Sequence, residues 1–242
     1  MERLCSDLIV VILAYLDKDS KFHFLNIAKF LGPMKKTLYD KYLFDHDKIG
    51  NYEIKKHIKH IKCSLFDHHL YEKLESVKMT CQYPNCFVNK LPTTLKTLEI
   101  IKNYGGETEY YDFPPNLESL SIRNDHIILK RKLPKTLKSL SLSFSKLDYS
   151  LDNLPSNLES LAIICFTFNK PINNLPTSLI NLSISSSNFN QSLDKLPENL
   201  ETLTIKGIGI NYNFNQSLDN LPSTLQSLKI EQCYLYMPIL KI

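Results

Sequence analysis

Apolar residues fall on a repeating beat across most of this chain. Phe189 to Ile205 reads FNQSLDKLPENLETLTI. The same phrase returns as FNKPINNLPTSLINLSI from Phe168 to Ile184 and as FNQSLDNLPSTLQSLKI from Phe214 to Ile230. The tighter unit is LP-x-x-L-x-x-L-x-I, with its proline at Pro92, Pro114, Pro134, Pro155, Pro176, Pro197 and Pro222. Successive prolines stand 22, 20, 21, 21, 21 and 25 residues apart. Such self-similarity sets the fold class before any single element is read. A proline-free copy upstream keeps Leu70, Leu74, Val77 and Met79 in phase.

A beat of about 21 residues is too short for a pair of helices and suits one strand with a return path. In L-x-x-L-x-I the second Leu and the Ile are two apart, so they share one face of a strand, and the residue between them faces the other way. So short a strand cannot bury its apolar face alone. Stacked on copies of itself it can, which predicts a solenoid with one parallel strand per turn. The proline lacks an N–H and belongs in the bend before the strand. Six positions per turn point inward, exemplified by Leu175, Leu179, Leu182, Ile184, Phe189 and Leu193. Phe168, Phe189 and Phe214 should form one column. Asn169, Asn190 and Asn215 should form another, with amides able to bond backbone of the next turn.

These phrases resemble the FNIP repeat, a short variety of leucine-rich repeat named for a Phe-Asn-Ile-Pro start. Phe168-Asn169-Lys170-Pro171 is the nearest match, and the resemblance spans roughly residues 70 to 231. It implies a leucine-rich-repeat-like solenoid and does not by itself imply an activity.

The first 45 residues follow a different period. Leu4, Leu8, Ile12 and Leu16 recur every four residues, which is helical, and Ser6 or Asp7 can cap the start. Ser20 can cap a second helix carrying Phe24, Leu25, Ile27, Ala28 and Leu31. Gly32-Pro33 then separates it from a third helix that should run to Phe44. The order Leu4-Cys5-Ser6-Asp7-Leu8, Ile12-Leu13, Tyr15-Leu16 and Asp17-Lys18-Asp19 resembles the F-box, although Cys5 replaces the family's proline and the family's tryptophan is missing. That resemblance implies docking of a Skp1-like adaptor of a cullin-based ubiquitin ligase, with Leu4, Leu8, Ile12 and Leu16 on the docking face. An F-box before FNIP repeats is an arrangement of social amoebae and of large viruses that infect amoebae. The alternative reading leaves the four residues in the core of their own helical domain.

The expected fold class is therefore α+β: a short helical F-box-like domain (1–45), a helical linker or N-terminal cap (46–69), the solenoid (70–231) and a C-terminal extension or cap (232–242). The linker helix, from about Tyr52 to Phe66, rests on the spacing of Ile54, Ile58 and Ile61. A solenoid needs such a cap to cover its first turn.

Composition changes this picture little. The 43% hydrophobic content is ordinary, and the apolar run Leu8 to Leu16 is too short to span a membrane. Acidic Glu2 and Asp7 before that run argue against a signal peptide. Six cysteines without a repeating framework fit a reducing intracellular location, in cytoplasm or nucleus. Cys81 and Cys86 are five apart, which is not a usual zinc spacing. His57, His60, Cys63, His68 and His69 form a loose cluster for which single solvated or half-buried histidines are a commoner outcome than a metal site, so no metal or other cofactor is assigned. The formal net charge of +4 resides wholly in residues 1–90. Two basic knots, Lys55-Lys56-Lys59-Lys62 and Lys130-Arg131-Lys132-Lys135-Lys138, lack the continuous stripe of a nucleic-acid binder and are read as solvated faces.

No phosphate-cradling glycine loop and no nucleophile–base set is legible, so an enzyme is not expected. The outward strand positions are mostly small hydroxyl residues, Ser141 and Ser183 among them. Ile101, Arg123, Phe144 and Ile164 are larger and interrupt that ladder, which marks them as candidate anchors for a protein target. The resulting expectation is a substrate receptor: the F-box-like segment docks the adaptor, and the repeat face holds a protein of unknown identity. A protein-binding scaffold without any ligase is the alternative.

Overall fold

The computed structural model describes residues 44–45, 60–63, 74–81, 91–102, 113–124, 132–144, 151–209 and 214–233. Within them the chain winds into a solenoid. Ten strands lie in one sheet in strict sequence order: β1 (Phe44–Asp45), β2 (His60–Cys63), β3 (Ser76–Cys81), β4 (Thr97–Lys102), β5 (Ser119–Asn124), β6 (Ser139–Phe144), β7 (Ser160–Cys165), β8 (Asn181–Ser185), β9 (Thr202–Ile208) and β10 (Ser227–Cys233). Every neighbouring pair is parallel. Among the described residues the one helical piece is a single 3-10 turn, Leu151–Asn153.

The leucine beat sets the register. Val77 pairs with Leu98, and the column continues through Leu120, Leu140, Leu161, Leu182 and Leu203 to Leu228. From Val77 to Leu203 every member is at most 1% exposed. A one-residue slip would turn all of them to water, so this burial holds the register. The proline fixes the bend, as the sequence pattern predicts. The carbonyl of Pro92 accepts from Leu95 N at 3.1 Å, and Pro114, Pro134, Pro155, Pro176, Pro197 and Pro222 repeat that turn. Each of β4 to β10 then hooks onto its predecessor through one shared acceptor. Glu75 O takes the amides of Lys96 and Thr97 at 2.8 and 2.9 Å, and Lys96 O takes those of Glu118 and Ser119.

Side chains join the turns at two further places. Phe168, Phe189 and Phe214 stack with centroids 5.8 and 6.1 Å apart and interplanar angles of 8° and 5°. Beside them, Asn169 Oδ1 accepts from Asn190 N at 2.9 Å, and Asn190 Oδ1 accepts from Asn215 N at 3.1 Å. The expected asparagine ladder therefore bonds to backbone, and Gln191 and Gln216 add amide donors to the same oxygens. The second place was not anticipated. The residue two after each proline donates across to the preceding turn: Thr94 to Leu74 O (2.8 Å), Asn116 to Thr93 O (2.9 Å), Thr136 to Leu117 O (2.8 Å), and onward to Thr224. Its sequence signal is that this position is always Thr, Asn or Ser.

One buried polar group is fully engaged. Ser186 donates to Phe168 O at 2.8 Å and accepts from Asn188 N at 3.2 Å, which satisfies a hydroxyl with no exposure.

The sheet begins earlier than residue 70. Ile61 pairs with Val77 and Cys63 with Met79, so the helix expected over Tyr52 to Phe66 does not include His60–Cys63. Ile54, Ile58 and Ile61 have helical spacing, but Ile61-x-Cys63 also alternates like a strand. Pairing there satisfies the open N–H and C=O groups of β3. Phe44, expected to close a helix, likewise sits in β1 opposite Ile61. The F-box-like helices up to Leu43, and the chain after Cys233, lie outside the described residues. In the last described rung Leu228 and Ile230 are 40% and 37% exposed, where their neighbours Leu203 and Ile205 are fully buried.

Candidate binding face

Alternation along each strand puts three rows of side chains on the outside of the sheet. The first runs Thr97, Ser119, Ser139, Ser160, Asn181, Thr202. The second runs Glu99, Ser121, Ser141, Ala162, Ser183, Thr204, and the third runs Ile101, Arg123, Ser143, Ile164, Ser185, Lys206. β6 shows the alternation plainly: Leu140, Leu142 and Phe144 are buried, while Ser139, Ser141 and Ser143 are half-buried on the outer side.

Ser141 and Ser183 lie mid-face, in one row with Ala162 between them. Ile101, Arg123 and Ile164 share the third row, with Ile101 half-buried, Arg123 exposed and Ile164 43% exposed. Phe144 does not belong with them. It is 4% exposed and pairs with the buried Cys165, so it packs in the core, and Ser143 occupies the place between Arg123 and Ile164. The repeat supplies the reason: Phe144 stands two residues beyond Leu142, on the inner parity, where bulk is welcome. Phe166 was missed. It lies in the turn that follows β7, one residue past Cys165, and is 49% exposed. No strand alternation marks it in the sequence, because it falls in the turn between β7 and Phe168. Leu4, Leu8, Ile12 and Leu16 lie outside the described residues.

Charge is arranged at the two ends of the face. Lys78 and Glu99 pair at 2.8 Å at one end. At the other, Glu231 accepts from Lys229 at 2.8 Å and lies 3.7 Å from Lys206. The hydrogen bond from Lys229, with the charge of both lysines, holds the Glu231 carboxyl below its ordinary range. The middle is neutral and shallow, apart from Arg123.

A groove of about 870 Å³ runs along the strand starts, lined by Glu75, Lys96, Glu118, Lys138 and Glu159 together with Thr94, Asn116, Thr136, Asn157 and Ser178. Its hydroxyls and amides are committed to the inter-turn bonds. Its charges alternate in sign from turn to turn and offset one another, with Lys138 and Glu118 at 3.8 Å. The groove is thus a product of how the turns are joined, and the outer face is the better candidate for recognition.

No protein-family model matches the chain, and no curated protein does. A solved structure does: the crystal structure of CroV588, described as a novel circular LRR protein structure, superposes with a TM-score of 0.52 at 22% identity. The fold is leucine-rich-repeat-like. The superposition covers 72% of this chain and 30% of that one, so this chain spans under a third of its neighbour's length. At that identity the likeness speaks to the fold alone.

Proposed function

We propose that the chain is a protein-recognition module whose solenoid holds a target on the outer sheet face and does no chemistry itself. The observation that carries this reading is the face itself: a field of small side chains interrupted by exposed Arg123 and Ile164, with exposed Phe166 in the turn just beyond β7. Solenoids bind through such extended surfaces, and scattered bulky anchors on a small-residue field suit a large partner better than a small ligand. The finer reading adds the F-box-like segment. With Leu4, Leu8, Ile12 and Leu16 docked on a Skp1-like adaptor, the module becomes the substrate receptor of a cullin-type ubiquitin ligase, raising the effective concentration of its target at the ligase. That part rests on the sequence resemblance.

Affinity capture with the full chain, read by mass spectrometry, tests both levels. Ser141→Tyr with Ser183→Tyr puts neutral bulk on the middle of the face and should release the target while leaving any adaptor bound. Leu8→Asp with Ile12→Asp should release the adaptor while leaving the target bound. A target retained by the tyrosine variant contradicts the face reading. An adaptor that never co-purifies with the parent chain leaves a binding scaffold without a ligase.

A further inference from the structure

Resting on that reading of the outer face, we infer that its occupant is an extended protein segment carrying an acidic residue and a large apolar residue two or three positions apart. The acid sits on Arg123 and the apolar side chain sits against Ile164 and Phe166.

Charge complementarity fixes the first half. The charged groups at the two ends of the face have partners within the fold, Lys78 with Glu99 and both Lys206 and Lys229 with Glu231. Arg123 is different: it is exposed, and no ion pair or hydrogen bond joins it to any described residue. A guanidinium stays protonated at every physiological pH and offers a planar fork of donors that matches a carboxylate. One unpaired arginine among serines, in the described part of the face, does not suit a nucleic acid, which calls for a continuous basic stripe.

Geometry fixes the second half. Arg123, Ser143 and Ile164 are consecutive members of one row, so the cation and the aliphatic anchor are two strand spacings apart, about 10 Å. Ser143 between them is small and leaves the path open. A chain crossing the strands as a polyproline-II-like segment returns to the same side every third residue after about 9 Å. As a strand it does so every second residue after about 7 Å. Either fits once the length of the arginine side chain is allowed for. Phe166, 49% exposed in the turn just past β7, adds a second exposed apolar side chain two residues along the chain from Ile164, and exposed bulky residues beside a hydroxyl sheet are the kind of feature that anchors partners.

The test pans a phage-displayed random dodecamer library against the full chain, then measures the most enriched peptide, synthesised, by titration. Enriched sequences should pair Asp or Glu with Phe, Leu, Ile or Trp at a separation of two or three. Affinity should fall about tenfold or more on Arg123→Glu and likewise on Phe166→Ser. Replacing the peptide's acid by Lys should restore binding to Arg123→Glu and to no other variant, which a merely misfolded protein would not allow. Enriched peptides that lack the acid, or that bind Arg123→Glu undiminished, overturn this inference; if Ser141→Tyr still blocks them, the recognition face survives. Peptides indifferent to Ser141→Tyr, or a library that yields none, count against the face and the inference together.

Discussion

Phe189 is the most informative residue to remove. It is 1% exposed and stacked between Phe168 at 5.8 Å and Phe214 at 6.1 Å, so each face of the ring meets another turn. Truncating a buried Phe to Ala costs about 3–5 kcal/mol through lost transfer energy and the cavity left behind. Each lost ring pair adds about 0.5–1.5 kcal/mol beyond area. Phe189→Ala should therefore fall near the top of that range, about 5 kcal/mol. Phe168→Ala, equally buried but with one stacked phenylalanine among the described residues, should cost about 4 kcal/mol. Phe214 is half-buried, and its truncation should cost about 2 kcal/mol. Phe189→Leu keeps most of the volume and loses the stacking, so about 1–2 kcal/mol is expected. Urea denaturation followed by far-ultraviolet circular dichroism gives the series. Phe189→Ala and Phe214→Ala equal within about 0.5 kcal/mol would refute the stacked column, because nothing would then distinguish an inner rung from an outer one.

Three further outcomes follow from the same geometry. Leu161→Ala, at a position 1% exposed, should cost about 3 kcal/mol in urea denaturation, and Leu228→Ala, 40% exposed in the last described rung, about 1 kcal/mol or less. Gly209 adopts φ 101°, where a side chain strains the backbone, so Gly209→Ala should lower stability by about 1 kcal/mol or more while Gly207→Ala, within β9, reports packing instead. The Asp194 carboxyl is held below its ordinary range first by the Ser192 hydroxyl at 2.7 Å and then by the Asn220 amide at 2.9 Å. Its folded value thus lies below its unfolded one. The contribution is complete at neutral pH and is lost as pH falls from the ordinary value of 3.8 through the folded one. Asp194→Asn should flatten that part of the acid limb in a melting-temperature series, and an unchanged limb would contradict the assignment.

The sequence made the repeat legible because its chemistry is redundant: the leucine column, the proline turn and the phenylalanine stack each report the same period. It was less explicit where one side chain must be assigned to one face. Phe144 read as an anchor because it interrupts a run of serines, yet counting by twos from Leu140 places it inside. Ile61 satisfied a helical spacing and a strand alternation at once, and the unpaired edge of β3, invisible in one dimension, favours the strand. Phe166 escaped notice because it lies past the last residue of its repeat unit. The Thr/Asn/Ser ladder after the prolines resembled ordinary turn composition, and only the stacking of turns reveals that each member reaches the turn before it.

The most direct measurement of the stacked-rung architecture is a set of electron–electron distances between spin labels on the second outer row. With one label at Thr204, partners at Ser121, Glu99 and Lys78 lie four, five and six strands away. Consecutive rungs of a parallel sheet predict about 19, 24 and 29 Å, a rise of about 4.8 Å per turn. Distances that fail to lengthen by a constant step from one turn to the next would contradict the solenoid and, with it, the face on which recognition is placed.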